Sequence, residues 1–154
     1  PLPLKGALRF EKAGEKQLQT IIETYALESP DTLKKLVVAK KINCAYATDA
    51  SERADGEENQ AGASGGIKEH FVGYIGQHPE GSMGLLLIFP EYRRHGYAEE
   101  LESYQINEIR AEGRTPYAHI ITDNFKSISL QKKLGANVAD DLVIWMSRSD
   151  REKK

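Results

Sequence analysis
The stretch Leu85-Leu86-Leu87-Ile88-Phe89-Pro90-Glu91-Tyr92-Arg93-Arg94-His95-Gly96-Tyr97-Ala98 decides the fold. Leu85 to Phe89 is a continuous apolar run between Gly84 and Pro90, too short for a full helix. Such a run reads as a strand buried on both faces. Pro90 ends it, because proline has no N–H to give to a sheet. Arg93 to Ala98 is a tight basic turn, and a long helical pattern follows directly. A turn that feeds a helix N-terminus offers unpaired backbone N–H groups and the positive end of the helix dipole. Gly96 has no side chain to block a ligand, and Arg93 and Arg94 add full charges. The combination suits a phosphate or pyrophosphate. The Gly-Lys-Ser/Thr ending of a Walker loop is missing, and so are two of the three glycines of the dinucleotide fingerprint.

Working outward, Ser82 to Phe89 pairs back on Lys68 to Gln77 across the turn His78-Pro79-Glu80-Gly81, an antiparallel hairpin. Gly73 and Gly76 mark a bulge or a close backbone approach in it. On the other side a helix runs from about Ala98 to Glu112, with Leu101, Tyr104, Gln105 and Ile109 on one side and Gly113 as its stop. Pro116 to Thr122 reads as a strand, Asp123-Asn124 as a turn and cap, and Ser127 to Leu134 as a short helix ended by Gly135. Leu142 to Met146 is an apolar terminal strand, and Asp150 to Lys154 a frayed charged tail.

Towards the N-terminus, Gly6 to Phe10 reads as a first strand. Leu18, Ile21, Ile22, Tyr25 and Ala26 repeat at helical spacing after Glu15. Ser29-Pro30-Asp31 breaks that helix, and Leu33 to Lys35 adds a helical turn. Leu36 to Ala39 reads as a strand, with a continuous helix from Thr32 to Lys41 as the competing reading; Ile42 to Thr48 continues the strand or forms another. Asp49 to Gly66 has no large apolar residue, so burial cannot offset ordering entropy, and a flexible insertion loop over 49–66 is expected.

The chain has 154 residues, 40% hydrophobic and 29% charged, which suits one soluble domain over 1–154. A net charge of −2 gives no broad basic field for nucleic acid. Cys44 is the only cysteine, which excludes an internal disulfide and fits a reducing, cytoplasmic setting. The four histidines show no metal-site spacing, so no metal is expected. No apolar run is long enough to span a membrane, and no membrane partner is expected. Monomer and homodimer both stay open.

Two motifs carry a family resemblance. Arg93-x-x-Gly96-x-Ala98 resembles the Q/R-x-x-G-x-G/A pyrophosphate loop of the GNAT superfamily of N-acetyltransferases, and Ile88 to Tyr92 is similar to its lead-in. One strand further on, Asn124-x-x-Ser127-Ile-x-Leu130-Gln131-x-x-Leu134-Gly135-Ala136 resembles that superfamily's N-x-x-S/A-I-x-L-Y-x-x-L-G-F. The loop Pro90-Glu91-Tyr92-Arg93-Arg94-x-Gly96 is also similar to the glycine N-acyltransferase-like branch. The resemblance covers about Phe71 to Arg148. It implies an α+β fold: one domain with a mixed, mostly antiparallel sheet, splayed at the centre, and helices on both faces.

The resemblance also implies a transferase that moves the acetyl group of acetyl-CoA, its co-substrate, to a primary amine in a ternary complex. The backbone of Leu86 and Ile88 would hold the pantetheine arm, and the Ile88 N–H would polarise the thioester oxygen. The backbone of Arg94, His95, Gly96, Tyr97, Ala98 and Glu99, led by Arg93, would hold the pyrophosphate, and Asn124 and Ser127 would line the arm. Gln131 stands where many members carry a tyrosine that protonates the leaving thiolate; glutamine donates a hydrogen bond but delivers no proton. That departure keeps a CoA-binding regulatory domain as the alternative. Glu69, His70, His78, Glu80, His119 and Asp123 are candidates for the base, with His119 and Glu80 ranked first.

Overall fold
Residues 1–48 and 68–144 are described by the computed structural model. The chain divides into two compact units, Pro1–Ala118 and His119–Lys154. The expected loop over 49–66, Trp145, Met146 and the charged tail lie outside the described residues.

Alternation along β2 (Ile42–Thr48) organises the first unit. Ile42 and Cys44 point to one core and Ala45 and Ala47 to the other, all fully buried. The strand has β1 (Leu8–Lys12) on one side and β3 (Glu69–Gln77) on the other, with β4 (Met83–Ile88) beyond β3, giving an antiparallel sheet in the order β1-β2-β3-β4. One face packs on α1 (Glu15–Thr24) and α2 (Pro30–Val38) through Ile21, Leu33, Leu36, Val37, Tyr74 and Leu85. The other packs on α3 (Tyr97–Ala111) through Val72, Ile75, Ile88, Tyr97 and Leu101. Each such aliphatic side chain stabilises the fold by ~1.5–3 kcal/mol, so both helical layers are held by the sheet rather than by helix propensity.

Two irregularities shape the edge. In β3, Gly73 pairs with Ala45 and Phe71 with Tyr46, so Val72 is one residue too many, the bulge the glycines suggested. In β4 the pairing steps from Tyr74–Leu87 to Gly76–Gly84, which leaves one extra residue on β4. Leu85 absorbs it with φ at +52°, a left-handed conformation that costs a leucine about 1–2 kcal/mol. The side chain stays buried in the α1/α2 core, which over-determines the strained position.

Three readings are corrected. Leu36 to Ala39 is the end of α2, not a strand. Ser29 caps the helix by accepting the Thr32 N–H at 3.2 Å, Pro30 occupies its first turn, and Leu33, Leu36 and Val37 share the buried face while Val38 is 75% exposed. Pro116 to Thr122 forms no strand: a parallel bridge joins Ala118 to Met83, with the Met83 N–H donating to the Tyr117 carbonyl at 2.7 Å. β4 bends at its bulge two residues later, so a straight segment cannot follow its edge. Residues 141–144 carry no regular structure, and Leu142 and Ile144 are about 80% exposed, without the burial a terminal strand needs.

The second unit holds α4 (Phe125–Lys133). Asn124 caps it, its Oδ1 accepting the Ser127 N–H at 3.2 Å. Gln131 is its buried residue, and the Ala136 N–H returns to the Gln131 carbonyl at 2.9 Å to close the helix end.

Candidate active site
The outer edge of β4 is the backbone of the site. The Phe89 N–H donates to the Val72 carbonyl at 3.0 Å, so Phe89 faces β3. Successive residues alternate. The N–H groups of Leu86 and Ile88 therefore face away from β3, at the open end of the sheet order. The Ile88 carbonyl is turned the same way and accepts the Arg93 Nε–H at 3.0 Å. Among the described residues, the pairing on this edge is the Met83–Ala118 bridge.

After Ile88 the short helical turn Pro90–Tyr92 carries the chain round to α3. Arg94 and Gly96 both adopt positive φ, +69° and +76°, and Gly96 is the N-cap of α3. Only glycine takes that conformation without penalty, and the missing side chain leaves the first N–H groups of α3 open to a ligand. His95 Nδ1 donates to the Tyr92 carbonyl at 3.1 Å and its ring stacks on Tyr97, 5.2 Å between centroids. Arg93 is thus committed to shaping the turn, Tyr97 is buried in the core, and Arg94 stands exposed.

Two glutamates in the first turn of α3 would repel an anion, but both are engaged. Glu100 is buried and accepts the N–H groups of Gly6 and Ala7 at 2.9 and 3.2 Å. Glu99 pairs with Lys5 at 3.4 Å. Lys5 reaches the loop itself: a Cβ built on Gly96 would stand 3.1 Å from its Nζ. Further along, Leu2 and Asn107 exchange two hydrogen bonds, at 2.6 and 2.8 Å, and strap the N-terminal arm to α3.

On the α1/α2 face of β4, three side chains meet beside the bulge. His78 Nδ1 lies 3.1 Å from Glu28 Oε1, both partly buried. The Nε2 side of the ring lies on Gly84, the residue before Leu85, so closely that any side chain there would collide with it. Burial, then the charge of Glu28, raises the Tyr25 hydroxyl pKa, while a backbone hydrogen bond from Leu85 works the other way. Tyr25, Glu28 and Gly84 are the residues that sequence reading misses; the detectable signal is a glycine heading an otherwise apolar strand.

The other expected residues lie as follows. Glu80 is exposed, takes a short hydrogen bond from the Ser82 hydroxyl, and its carbonyl accepts the Tyr117 hydroxyl at 2.9 Å. Glu69 is held by Arg9 at 2.6 Å. His119, Asn124, Ser127 and Gln131 belong to the second unit, His119 exposed and Gln131 buried. Burial pushes the Cys44 thiol up to about 12, which keeps it protonated and unreactive at neutral pH. Among the described residues no group of three His, Cys, Asp or Glu is placed to hold a metal ion, and no helix is long and apolar enough to cross a membrane.

This antiparallel sheet with its helices has the GNAT α+β fold of known acetyltransferases. The aminoglycoside acetyltransferase AAC(6')-Iy, solved with a bisubstrate analogue, CoA-S-monomethyl-acetylneamine, superimposes with a TM-score of 0.59 at 11% identity, covering 92% of this chain and 99% of that one. A predicted acetyltransferase from Clostridium acetobutylicum, solved with acetyl-CoA, gives 0.55 at 12% identity over 90% and 96%. A Drosophila protein gives 0.64 at 19% identity over 87% of this chain, which spans 40% of that protein's length. No curated protein matches the sequence. The chain belongs to the FR47-like protein family, whose model matches residues 61–146.

Proposed function
We propose that this chain transfers an acetyl group from acetyl-CoA to a primary amine by direct attack in a ternary complex. One observation carries the reading: the bulge at Leu85 leaves the Leu86 and Ile88 N–H groups on an open edge that leads, within eight residues, to the glycine-capped start of α3. The edge offers what a pantetheine arm needs, and the Gly96 turn what a pyrophosphate needs. The Ile88 N–H would polarise the thioester carbonyl; one such donor is worth ~3 kcal/mol in acyl transfer. Asn124, Ser127 and Gln131 take the arm and thiolate positions of the second motif in this reading. An inert Cys44 supports direct attack over an acyl-cysteine.

A thermal melt tests it. Acetyl-CoA at about 100 times its dissociation constant stabilises by roughly 2.7 kcal/mol, and Gly96→Asp removes the shift. Silence with acetyl-CoA, longer acyl-CoAs and free CoA alike overturns the proposal. Thiol release with an amine panel then follows, glycine first because of the loop's likeness to the glycine N-acyltransferase-like branch. Gln131 favours a second reading, a CoA-binding domain without turnover; binding with no amine-dependent release would select it.

A further inference from the structure
We propose that His78, oriented by Glu28, is the base that takes a proton from the acceptor amine, which approaches from the α1/α2 face beside the β4 bulge. The proposal rests on the acyl-transfer reading above and adds the group that reading lacks. A carboxylate can only accept, so the 3.1 Å contact with Glu28 Oε1 assigns the proton of the neutral ring to Nδ1. Nε2 then carries the lone pair. That nitrogen is the one lying on Gly84, two residues before Leu86, whose N–H faces outward on the strand that would hold the thioester.

Three elements fix the ring. The Glu28 loop joins α1 to α2. The His78 N–H donates to the Ser82 carbonyl at 2.9 Å, which closes the β3–β4 turn and aims the side chain back across β4. Gly84 gives it room. The charged and titratable groups around it are Glu28 and Tyr25 from the α1 end, Glu80 in its own turn, and Arg114, which donates to the neighbouring Gln77 at 2.9 Å.

The step balances as follows. Nε2 takes one proton from the ammonium and passes it to solvent. The freed amine attacks the thioester carbon, a C–N bond forms and the C–S bond breaks with its electron pair going to sulfur. The second nitrogen proton ends on the thiolate, so amide, CoA thiol and one solvent proton are produced.

The test follows thiol release from acetyl-CoA with two probe amines, glycine and the weakly basic trifluoroethylamine, which is uncharged at neutral pH. His78→Asn should bind acetyl-CoA like the parent in a thermal melt. Its kcat/KM with glycine should fall about 100-fold or more, the usual scale for a general base. The loss with trifluoroethylamine should be several-fold smaller, because that amine arrives without its proton. Gly84→Ala, which displaces the ring, should copy both effects. Glu28→Gln, which leaves the Nδ1–H without its carboxylate acceptor, should lower kcat/KM with glycine several-fold while acetyl-CoA binding in the thermal melt stays at the parent level. Turnover by His78→Asn within two-fold of the parent overturns the assignment, as does a loss seen only with Glu80→Gln or His119→Asn. A parent that binds acetyl-CoA but acetylates no amine overturns the acyl-transfer reading, and the base with it.

Discussion

Cys44 shows how burial, helped by the charge of Glu11, sets a residue's chemistry. It is fully buried between β2 and the α1/α2 layer, and its thiol is pushed up to about 12. Below the ordinary thiol value of 9.0, folded and unfolded chains both hold the proton and stability is unaffected. Above it the unfolded chain ionises while the folded one does not, so stability falls by about 1.4 kcal/mol per pH unit. Tyr46, also pushed up to about 12 by burial, joins only above its own ordinary value of 10.0. Resistance to denaturant should therefore fall between pH 9.0 and 10.0 in the parent, by about 1 kcal/mol, and stay flat in Cys44→Ala.

At the scale of elements, β4 and α2 teach opposite lessons. The β4 bulge turns the Leu86 and Ile88 amides outward, so acetyl-CoA should slow their hydrogen exchange, by about ten-fold or more, and leave the inward Phe89 amide unchanged. The element itself was legible, because an uninterrupted apolar run between Gly84 and Pro90 has few other solutions. The bulge was not, since nothing in three successive leucines says which one takes a left-handed backbone. Leu36-Val37-Val38 reads equally well as strand or helix. The cap at Ser29 and the burial of Leu33, Leu36 and Val37 on one side decide it, and that side is defined only once β2 lies beneath. The glycine-capped turn before α3 was legible from local chemistry alone, whereas Glu28, 50 residues from His78, is brought to it by tertiary packing.

Across the whole molecule, the arm over residues 2–7 reaches more than 90 positions along the chain to the start of α3. Glu100 satisfies two arm N–H groups from a buried position, and a bond to a charged acceptor is worth about 1.5–3 kcal/mol. Glu100→Ala should lower stability by about 2 kcal/mol or more in denaturant, and expose the Gly6 and Ala7 amides to exchange. The arm thus does for the first turn of α3 what distant sequence cannot announce: it pairs Glu99 with Lys5 and satisfies Glu100 with two backbone N–H groups, engaging carboxylates that the helix dipole favours there.

That pairing leaves an evolutionary signature. The arm and the first turn of α3 form a single heritable unit, because Glu99 and Glu100 are tolerable beside an anion only while Lys5, Gly6 and Ala7 lie over them. Lineages in which this arm is rerouted should have exchanged both glutamates for neutral residues, and lineages that keep Glu100 should keep a small residue at position 6, where φ is +74°.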